Sequence, residues 1–374
     1  MENKNYEVWR FLIMSTDPLH VGTGGMRLGR VDNTIVREPG TNLPKIPGTT
    51  LHGAIRAYAA RRYGKIQCAG QKGHCGRPVC PICYTFGSIK GEDKSFSGVV
   101  SITDARILLF PVYSMVGPVW VTSPTTLADA GFGNNNTVSE DKARWKGLTK
   151  GNALNLGWLM LEKESDLTAP DDLMNRIPKA IKNRIVLVSD KLFSQIVNSN
   201  LEVRTSVAIN PETGAAEEGA LFTYEAIPRA TIMWFDVIVD DFRGSFPETS
   251  KLEEWEGILN AESDDQKKEL LKEWKILFKE DDNIAKAIEK AQLWIKEEKF
   301  TENNETKWKW AKMRCQDGKE AILCIIQSGL EWAEHLGIGG MGTRGFGRVK
   351  ELTCFNPPED FKPSEEEKDV DSKS

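Results

Sequence analysis

Short apolar runs rich in aromatic and β-branched residues, bounded by polar turn-forming residues, recur along this chain, and such runs predict β-strands. Runs of this kind, or of similar extended composition, lie at residues 6–14, 31–38, 99–101, 106–110, 119–122, 185–188, 232–239 and 348–355. Two more runs, 201–209 and 220–227, are separated by the polar, turn-rich sequence N-P-E-T-G-A-A-E-E-G. They predict a long β-hairpin.

Three regions instead carry apolar residues every three or four positions, which predicts helices. These regions are residues 51–63, 252–295 and 321–336. Thr50 or a neighbour can cap the first helix, and the composition of the last predicts that it is largely buried. The tryptophans of residues 252–310 are interpreted as core residues rather than as base-stacking platforms. Residues 129–179 are weakly patterned and predict mobile loops.

The order of these elements predicts the fold class. Strands come first, a helix crosses over, further strands follow, and a second helix leads to a last strand. This order suits an α+β sandwich of the ferredoxin or RNA-recognition type that is enlarged by insertions. The 374 residues are enough to bury a substantial core.

The run G-I-G-G-M-G-T-R-G-F-G-R-V, residues 337–349, holds six glycines together with Arg344 and Arg348. Glycine reaches positive φ without a Cβ clash and lets a second backbone approach closely. The arginine fork suits phosphate oxygens. The run therefore predicts a loop that lies against a polyanion, for which RNA is the candidate. The alternative is a flexible surface loop.

Charge is distributed unevenly along the chain, which changes how the net value of −5 is interpreted. Residues 1–110 carry 15 Lys and Arg against 8 Asp and Glu, a balance of +7, so the remaining 264 residues total −12. A basic amino-terminal part is compatible with nucleic-acid binding despite the acidic sum. Much of the negative charge lies in residues 240–310 and in an acidic tail, 359–374, which is expected to be disordered.

No apolar run approaches the roughly 20 residues that a membrane-spanning helix needs. The amino-terminal segment lacks the apolar core of a signal peptide. We therefore expect a cytoplasmic protein with no membrane partner. Seven cysteines fit a reducing compartment, because four of them cluster at the spacing of a metal site.

Those four cysteines follow the spacing C-x6-C-x4-C-x2-C and are Cys68, Cys75, Cys80 and Cys83. Four thiolates can close a tetrahedral Zn²⁺ site, and a site closed by four protein ligands has no open position for a substrate. We therefore predict a structural zinc ion in a loop at residues 64–97. His74 is an alternative ligand in place of one cysteine, and a set of free thiols is the alternative to any metal.

Asp32 follows a glycine-rich loop and is flanked by Arg27, Arg30 and Arg37. Within such a positive surface a carboxylate is either an ion-pair partner or a catalytic group, and the residues alone favour the ion pair. As a catalytic group it would hold a divalent cation beside a phosphate or act as a base on a ribose 2′-OH. The chain has only four histidines and neither a nucleophile elbow nor a Walker loop.

Several segments together resemble one family. H-V-G-T-G-G…G-R-V-D-N-T-I-V-R-E at 20–38 and P-K-I-P-G-T-T-L-H-G-A-I-R at 44–56 are similar to the amino-terminal signature of the repeat-associated mysterious proteins (RAMPs) of CRISPR systems. S-I-T-D-A-R-I-L-L-F-P-V at 101–112 and V-T-S-P at 121–124 resemble the backbone subunits of type III-B effectors, the Cmr complexes. The glycine-rich run at 337–349 is similar to a loop shared by the superfamily.

This resemblance implies a fold, partners and an activity. The fold is a ferredoxin-like RAMP core, with residues 1–358 forming one domain. Copies of such a subunit form a helical filament on a CRISPR RNA guide, beside other type III-B subunits, and cleave complementary target RNA at regular intervals with Mg²⁺ or Mn²⁺. The insertions are the cysteine loop at 64–97, a β-hairpin thumb at 198–229 that displaces target nucleotides, and helices at 240–312.

The resemblance also assigns residues. Asp32 matches the catalytic position of the family, whose reaction is attack by a target 2′-OH. The guide-binding turn and helix match Lys45, Thr49, Thr50 and Arg56. His52 stands where the family commonly has the lysine of L-K-G, and it is expected to contact RNA as well. Further RNA contacts are expected at Arg27, Arg30, Arg37, Arg204, Gly339, Gly340, Thr343, Arg344, Gly345, Gly347 and Arg348. The cysteine cluster is not a general feature of these subunits, so the zinc prediction depends on the cysteine spacing alone.

Three other interpretations stay open at this point. One is a backbone subunit that binds RNA with an inert Asp32, and another is a CRISPR-RNA processing endonuclease of the same superfamily. The third is a zinc-stabilised protein-interaction module without an RNA role. The scarcity of histidine argues against the processing enzyme, because such enzymes often use histidine for acid–base chemistry. Salt-sensitive RNA affinity would argue against the interaction module.

Overall fold

The structure is a computed structural model that describes residues 6–24, 31–70, 73–89, 95–133, 137–149, 151–261, 263–274, 276, 284–313 and 320–357. Its strands are β1 (Glu7–Ser15), β2 (Lys45–Ile46), β3 (Val100–Ile102), β4 (Ala105–Val112), β5 (Val119–Thr122), β6 (Lys142–Trp145), β7 (Ala153–Leu156), β8 (Leu159–Ser165), β9 (Ile185–Val188), β10 (Glu202–Ile209), β11 (Ala216–Ala226), β12 (Ile232–Val239), β13 (Lys299–Glu302), β14 (Glu305–Trp308) and β15 (Val349–Phe355). Its α-helices are α1 (Gly48–Tyr63), α2 (Pro81–Phe86), α3 (Pro124–Asp129), α4 (Asp171–Arg176), α5 (Lys179–Lys182), α6 (Asp190–Ser199), α7 (Thr249–Asn260), α8 (Asp264–Glu273), α9 (Ile284–Lys296) and α10 (Ala321–Leu336).

A mixed sheet of eleven strands organises the molecule. Its order is β15-β1-β12-β4-β5-β9-β6-β8-β7, with β2 also paired to β4 and β3 to β12. The first four strands pair antiparallel, whereas β5 with β9 and β6 with β8 pair parallel. Phe11 faces Phe235 across β1 and β12, and their stacked ring centroids are 5.3 Å apart. The strand order therefore brings together segments from both ends of the chain.

Alternation along β1 distributes its side chains between two cores. Phe11 and Ile13 enter the core that includes residues of α1 and α10, whereas Leu12 enters the core that includes residues of α3, α4 and α5. Helices α1 and α10 approach closely, because an ideal Cβ on Gly329 would lie 2.5 Å from the carbonyl oxygen of Ile55. Only glycine permits that separation. The main chain thus places one helix pair against the sheet.

Helices α7, α8 and α9 pack around a third core. Its largest members are Trp255, Trp274 and Trp294, which are all buried. The first two rings meet edge to face at 5.2 Å, and the last two stack at 6.2 Å. The interpretation of these tryptophans as core residues is confirmed. Val79 belongs to the same cluster, so the cysteine loop packs on these helices.

Several predicted elements are confirmed at their bounds, namely the strands at 119–122, 185–188 and 232–239 and the helix at 321–336. The cap prediction is wrong. Helix α1 begins at Gly48 after Pro47, which makes no side-chain cap bond, and the Asp104 carboxylate accepts the Gly48 N–H at 2.8 Å. Because a distant residue supplies this acceptor, Thr50 lies inside the first turn rather than capping it.

Two further expectations differ from the structure. Residues 31–38 make isolated bridges rather than a strand, because they cross from the base of the hairpin towards β2. Residues 129–179 hold β6, β7, β8, α4 and α5 in place of loops alone. Their strands lie at one edge of the sheet, where fewer positions are apolar and the periodic signal is weak.

The tail at 359–374 lies outside the described residues. None of the described helices is long and apolar enough to cross a lipid bilayer.

Candidate nucleic-acid interface and metal centre

Asp32 lies where the segment after β1 crosses the base of the hairpin formed by β10 and β11. Its Oδ2 accepts hydrogen bonds from the N–H and from Oγ1 of Thr223, both at 2.8 Å. The N–H of Asp32 donates to the same hydroxyl at 3.0 Å. The Thr223 hydrogen bonds lower the pKa of the Asp32 carboxyl below its ordinary value. Asp32 is therefore ionised, and among the described residues its Oδ1 has no hydrogen-bond partner.

The glycine-rich loop after α10 folds back onto the segment that follows β1. The N–H of Gly347 donates to the carbonyl oxygen of Pro18 at 2.8 Å, and that of Gly340 donates to the carbonyl oxygen of His20 at 2.9 Å. Gly339 has φ +87° and an ideal Cβ there would lie 2.7 Å from His20 O. Positive φ and close backbone approach, the two reasons for glycine given by the sequence, both apply at this position.

The glycine loop and Asp32 meet at neighbouring residues of β11. Tyr224 follows the threonine that holds Asp32, and its ring lies edge to face with His20 at 5.8 Å. His20 Nδ1 lies 2.7 Å from the carbonyl oxygen of Glu225. Arg344 Nη1 donates to the Tyr224 hydroxyl at 3.5 Å, a long contact. The structure therefore brings together the amino-terminal loop, the hairpin base and the glycine loop, which are far apart in sequence.

The arginines of this region differ in how far protein partners occupy them. Arg348 forms a two-bond ion pair with Asp17, which lowers the pKa of that carboxyl. Arg204 pairs with Glu202 at 2.6 Å, and its guanidinium lies 4.9 Å from the centroid of the Phe346 ring. Arg344 is exposed, and in the part of the chain that the structure describes its side chain makes only the long contact with Tyr224. Its guanidinium is therefore the most available of the three for a phosphate.

The predicted guide-binding turn and helix have mixed surroundings. Lys45 pairs with Asp104 at 2.5 Å, Thr49 is exposed, and Thr50 is half-buried. The half-buried His52 ring packs edge to face on Phe86 at 5.1 Å. Thr49 is thus the side chain of this set that solvent reaches most freely.

Arg56, one of the predicted RNA contacts, lies inside the protein rather than on its surface. Its side chain is buried, and it donates from Nε to the carbonyl oxygen of Cys68 at 2.8 Å and from Nη1 to that of Phe86 at 3.2 Å. The guanidinium thus supports the cysteine loop from inside the protein. Arg37 is likewise engaged, by Glu225 at 2.6 Å and Asn198 at 3.0 Å.

The remaining predicted contacts are two arginines of the amino-terminal loop and three residues of the glycine loop. Arg27 and Arg30 lie outside the described residues. Thr343 and Gly345 are exposed in the glycine loop, and Gly347 is buried beneath it. Sequence reasoning missed the polar triplet T-Y-E at residues 223–225, which organises the site. The only signal was its position on the inner strand of the predicted hairpin, close to the sheet.

The four predicted metal-ligating cysteines come together in space. Their sulfur atoms all lie within 4.8 Å of one another, with Cys75 and Cys83 3.8 Å apart and Cys68 and Cys80 3.9 Å apart. His74 Nδ1 instead accepts the N–H of Ile89 at 3.2 Å. Among the described residues, the group that could hold a metal ion consists of the four cysteines.

A buried ion pair lies beside this cluster. Lys65 pairs with Glu298, both almost fully buried, and the Tyr63 hydroxyl donates to the same carboxylate at 3.0 Å. Burial opposes the charge on Lys65, but the Cys80 thiolate and Glu298 outweigh it and raise its pKa. The cysteine loop is thereby joined to the residues that follow α9. A second ion pair, Arg77 with Glu297, makes the same connection.

The chain is similar to proteins of CRISPR systems. It is 29% identical over 248 residues to the Cmr endoribonuclease Cmr4 of Pyrococcus furiosus, a match that covers 59% of this chain and 78% of that protein. It is 33% identical over 94 residues to the endoribonuclease Csm3 of Methanothermobacter thermautotrophicus, covering 25% and 37%. The crystal structure of Pyrococcus furiosus Cmr4 (Cas7) aligns over 94% of this chain and all of that one, with 17% identity and a TM-score of 0.48.

The family model of the RAMP superfamily matches residues 13–350, which is most of the chain and includes Asp32, the hairpin and the glycine loop. The mixed α/β content and the central sheet belong to the part of the chain that this model spans. The chain is therefore a member of the RAMP superfamily.

Proposed function

We propose that the protein is a backbone subunit of a type III-B CRISPR effector, in which copies of the chain bind a CRISPR RNA guide as a filament and cleave complementary target RNA. The observation that carries this proposal is the convergence of Asp32, the hairpin base and the glycine loop. The similarity of the chain to the Cmr4 endoribonuclease supports the same role. Such an effector acts in the cytoplasm with other type III-B subunits, and base pairing with the guide selects the target.

Guide binding is assigned to the glycine loop, the amino-terminal turn and the start of α1. Arg344 and the exposed loop around Thr343 offer hydrogen-bond donors for phosphate oxygens. Contacts to phosphate carry no information about the base sequence of the guide. We expect Arg344→Ala to weaken binding equally for guides of different sequence. We also expect it to reduce the slope of log affinity against log salt concentration by about one, which corresponds to one released ion. Arg204→Ala, beside Phe346, is the comparison variant. An effect that varies with guide sequence would contradict a phosphate contact.

The hairpin of β10 and β11 suits insertion between nucleotides. Its exposed apolar side chains are Val203, Val207, Ile209 and Leu221, and the last two are more than 60% exposed. Apolar groups on a projecting hairpin gain from burial against bases or against another protein surface. A hairpin that separates stacked bases would splay the target backbone beside Asp32, so cleavage would recur once per subunit.

The cleavage chemistry assigned to the site is internal attack. The ribose 2′-oxygen gives up its proton to water and bonds to phosphorus while the bond to the 5′-oxygen breaks, and the leaving 5′-oxygen takes a proton from water, which leaves a 2′,3′-cyclic phosphate and a 5′-hydroxyl. A carboxyl with a lowered pKa is a weak base, so Asp32 is better suited to ligate a cation through Oδ1 than to remove the 2′ proton. Mg²⁺ or Mn²⁺ fits a single carboxylate completed by water and phosphate, and would supply positive charge to the phosphate.

The domain organisation that we propose is a single RAMP domain, residues 1–358, with insertions at 64–97, 198–229 and 240–312 and a tail at 359–374. The sheet order β15-β1-β12-β4, with α1 after β1 and α10 after β12, supports a ferredoxin-like core. Numbered within that core, the strands follow the order 4-1-3-2 of a βαββαβ unit. The other strands of the sheet extend this unit beyond β4.

We also propose that the cysteine cluster binds structural zinc. Four sulfurs in a tetrahedron around Zn²⁺, each at about 2.3 Å, lie about 3.8 Å apart. The separations of 3.8 Å and 3.9 Å agree with that geometry. Lys65 supplies positive charge beside the thiolates, which helps four negative ligands to lie together.

The assembled complex tests the catalytic role of Asp32. Asp32→Asn keeps an acceptor for the Thr223 donors but removes the charge, so we expect guide and target binding to persist while cleavage is lost. Asp166→Ala, a change at an exposed ion pair with Lys163, serves as the control. A complex that cuts target RNA normally with Asp32→Asn would contradict the assignment. If the unmodified complex binds target without cutting it, the binding-only subunit is the correct interpretation. If the isolated chain instead processes precursor RNA, it is a processing enzyme.

A further inference from the structure

The hydrogen bonds between Thr223 and Asp32 fix which group donates and which group accepts. The threonine hydroxyl accepts the N–H of Asp32, so its single proton is directed to Oδ2 of the same residue. The N–H of Thr223 is a second donor to Oδ2. Both interactions therefore fall on one carboxylate oxygen. The other oxygen, Oδ1, has no hydrogen-bond partner in the described part of the chain.

Backbone pairing makes the same contact part of the hairpin. The N–H of Asn33 donates to the carbonyl oxygen of Thr223 at 3.0 Å, and the N–H of Glu225 donates to that of Asn33 at 3.0 Å. Asn33 thus pairs with Tyr224, near the base of β11, as an isolated parallel bridge. Any displacement of this part of the hairpin is transmitted to Asp32 through these bonds.

We propose that Thr223 is a positioning residue for target cleavage, and that its hydroxyl fixes the Asp32 carboxylate so that only Oδ1 faces the cation and the scissile phosphate. This inference rests on the proposed function of Asp32. It adds that the hairpin which separates the target bases also sets the direction of the carboxylate. The threonine touches neither RNA nor cation in this assignment, and it acts through Asp32 alone.

The hairpin offers a matched control. Thr205 lies directly opposite Thr223 in the register of β10 and β11, is exposed, and makes no hydrogen bond to Asp32. Replacing either threonine with valine preserves shape and β-propensity while removing one hydroxyl. A general weakening of the hairpin would affect both variants, whereas loss of the Asp32 contact affects only Thr223→Val.

The experiment measures single-turnover cleavage and target affinity in the assembled, guide-loaded complex with Mg²⁺ or Mn²⁺. We expect Thr223→Val to slow cleavage roughly 10- to 100-fold, the order of effect that follows a misplaced catalytic group, while target affinity stays unchanged. Thr223→Ser, which keeps the hydroxyl, restores most of the rate, and Thr205→Val cuts like the unmodified complex.

Three outcomes would overturn the inference. Thr223→Val could cut at the unmodified rate, Thr223→Ser could be as slow as Thr223→Val, or target affinity could fall in proportion to the rate. Asp32→Asn, assayed in parallel, separates this inference from the proposed function. If Asp32→Asn is inactive while Thr223→Val is fully active, only the positioning role fails. If Asp32→Asn cuts normally, the catalytic assignment itself fails.

Discussion

Three glycines of one loop allow the contributions of backbone conformation and close contact to be separated. Gly347 has φ +94°, and an ideal Cβ there would lie 2.5 Å from the carbonyl oxygen of Ile338. Gly345 has φ +78° but nothing within 4 Å of such a Cβ. For Gly342, φ is not in the left-handed region, and the nearest atom to its ideal Cβ is 3.4 Å away. Alanine at position 347 therefore meets both an unfavourable backbone conformation and a steric clash. Alanine at position 345 meets only the unfavourable backbone conformation, and alanine at position 342 meets neither.

The magnitudes follow from that geometry. Left-handed backbone costs an alanine about 1–2 kcal/mol, and forcing a methyl group against fixed backbone costs about 1–3 kcal/mol more. Gly347→Ala should thus lower the free energy of unfolding by about 2–5 kcal/mol, and Gly345→Ala by about 1–2 kcal/mol. Gly342→Ala should raise it by up to about 1 kcal/mol, because alanine restricts the unfolded chain.

Urea denaturation of the three variants, followed by guide-binding measurements at fixed salt, tests this order. Gly347 also donates its N–H to Pro18 at 2.8 Å, so strain there displaces the whole loop from the segment after β1. We expect guide affinity to fall most for Gly347→Ala. Equal denaturation midpoints for Gly347→Ala and Gly342→Ala would refute the reasoning, since the two positions differ in both φ and contact.

The remaining predictions concern the metal centre and two ion pairs. Cys80→Ser should abolish the roughly one zinc ion per chain that metal analysis is expected to find, and a fully folded, metal-free protein would contradict a structural role. Lys65→Met leaves Glu298 buried without its cation and should cost about 3–5 kcal/mol in urea denaturation, whereas adding Glu298→Gln to it should recover part of the loss. The hydrogen bond from Arg348 lowers the pKa of Asp17, so its stabilising contribution is fully present above the unfolded-state pKa and disappears as pH falls through the folded one. The stability difference between the unmodified protein and Asp17→Asn should accordingly be constant near neutrality and vanish in acid, and a difference that grows in acid would contradict the ion pair.

Features that depend on neighbouring residues could be predicted from the sequence. The helix Ala321–Leu336 follows from its hydrophobic period and the strand Ile232–Val239 from its aromatic and β-branched composition, and each segment carries that signal within itself. The cysteine cluster spans sixteen positions, so its spacing alone was enough to indicate that four sulfurs could meet. The glycine loop belongs to the same class, because positive φ and close approach are properties that glycine alone provides.

Contacts between distant segments could not be predicted in this way. Thr223 is 191 residues from Asp32, and Lys65 is 233 residues from Glu298. No local pattern specifies which residue of a hairpin will face a given carboxylate. The cap of α1 is another example, because it is the pairing of β2 with β4 that brings Asp104 beside Gly48.

The sequence by itself thus predicted the family, several of the helices and strands, the four candidate metal-ligating cysteines and the glycine-rich loop. The tertiary structure decided which of the arginines stay on the surface, since Arg56 turns inward to backbone carbonyls while Arg344 stays exposed. It also decided that Thr223 holds one carboxylate oxygen of Asp32, while the other has no hydrogen-bond partner within the described ranges. The physical reason is that hydrophobic period and residue spacing act over a few residues. Burial and hydrogen-bond partners depend instead on the spatial order of the strands, which come from both ends of the chain into one sheet.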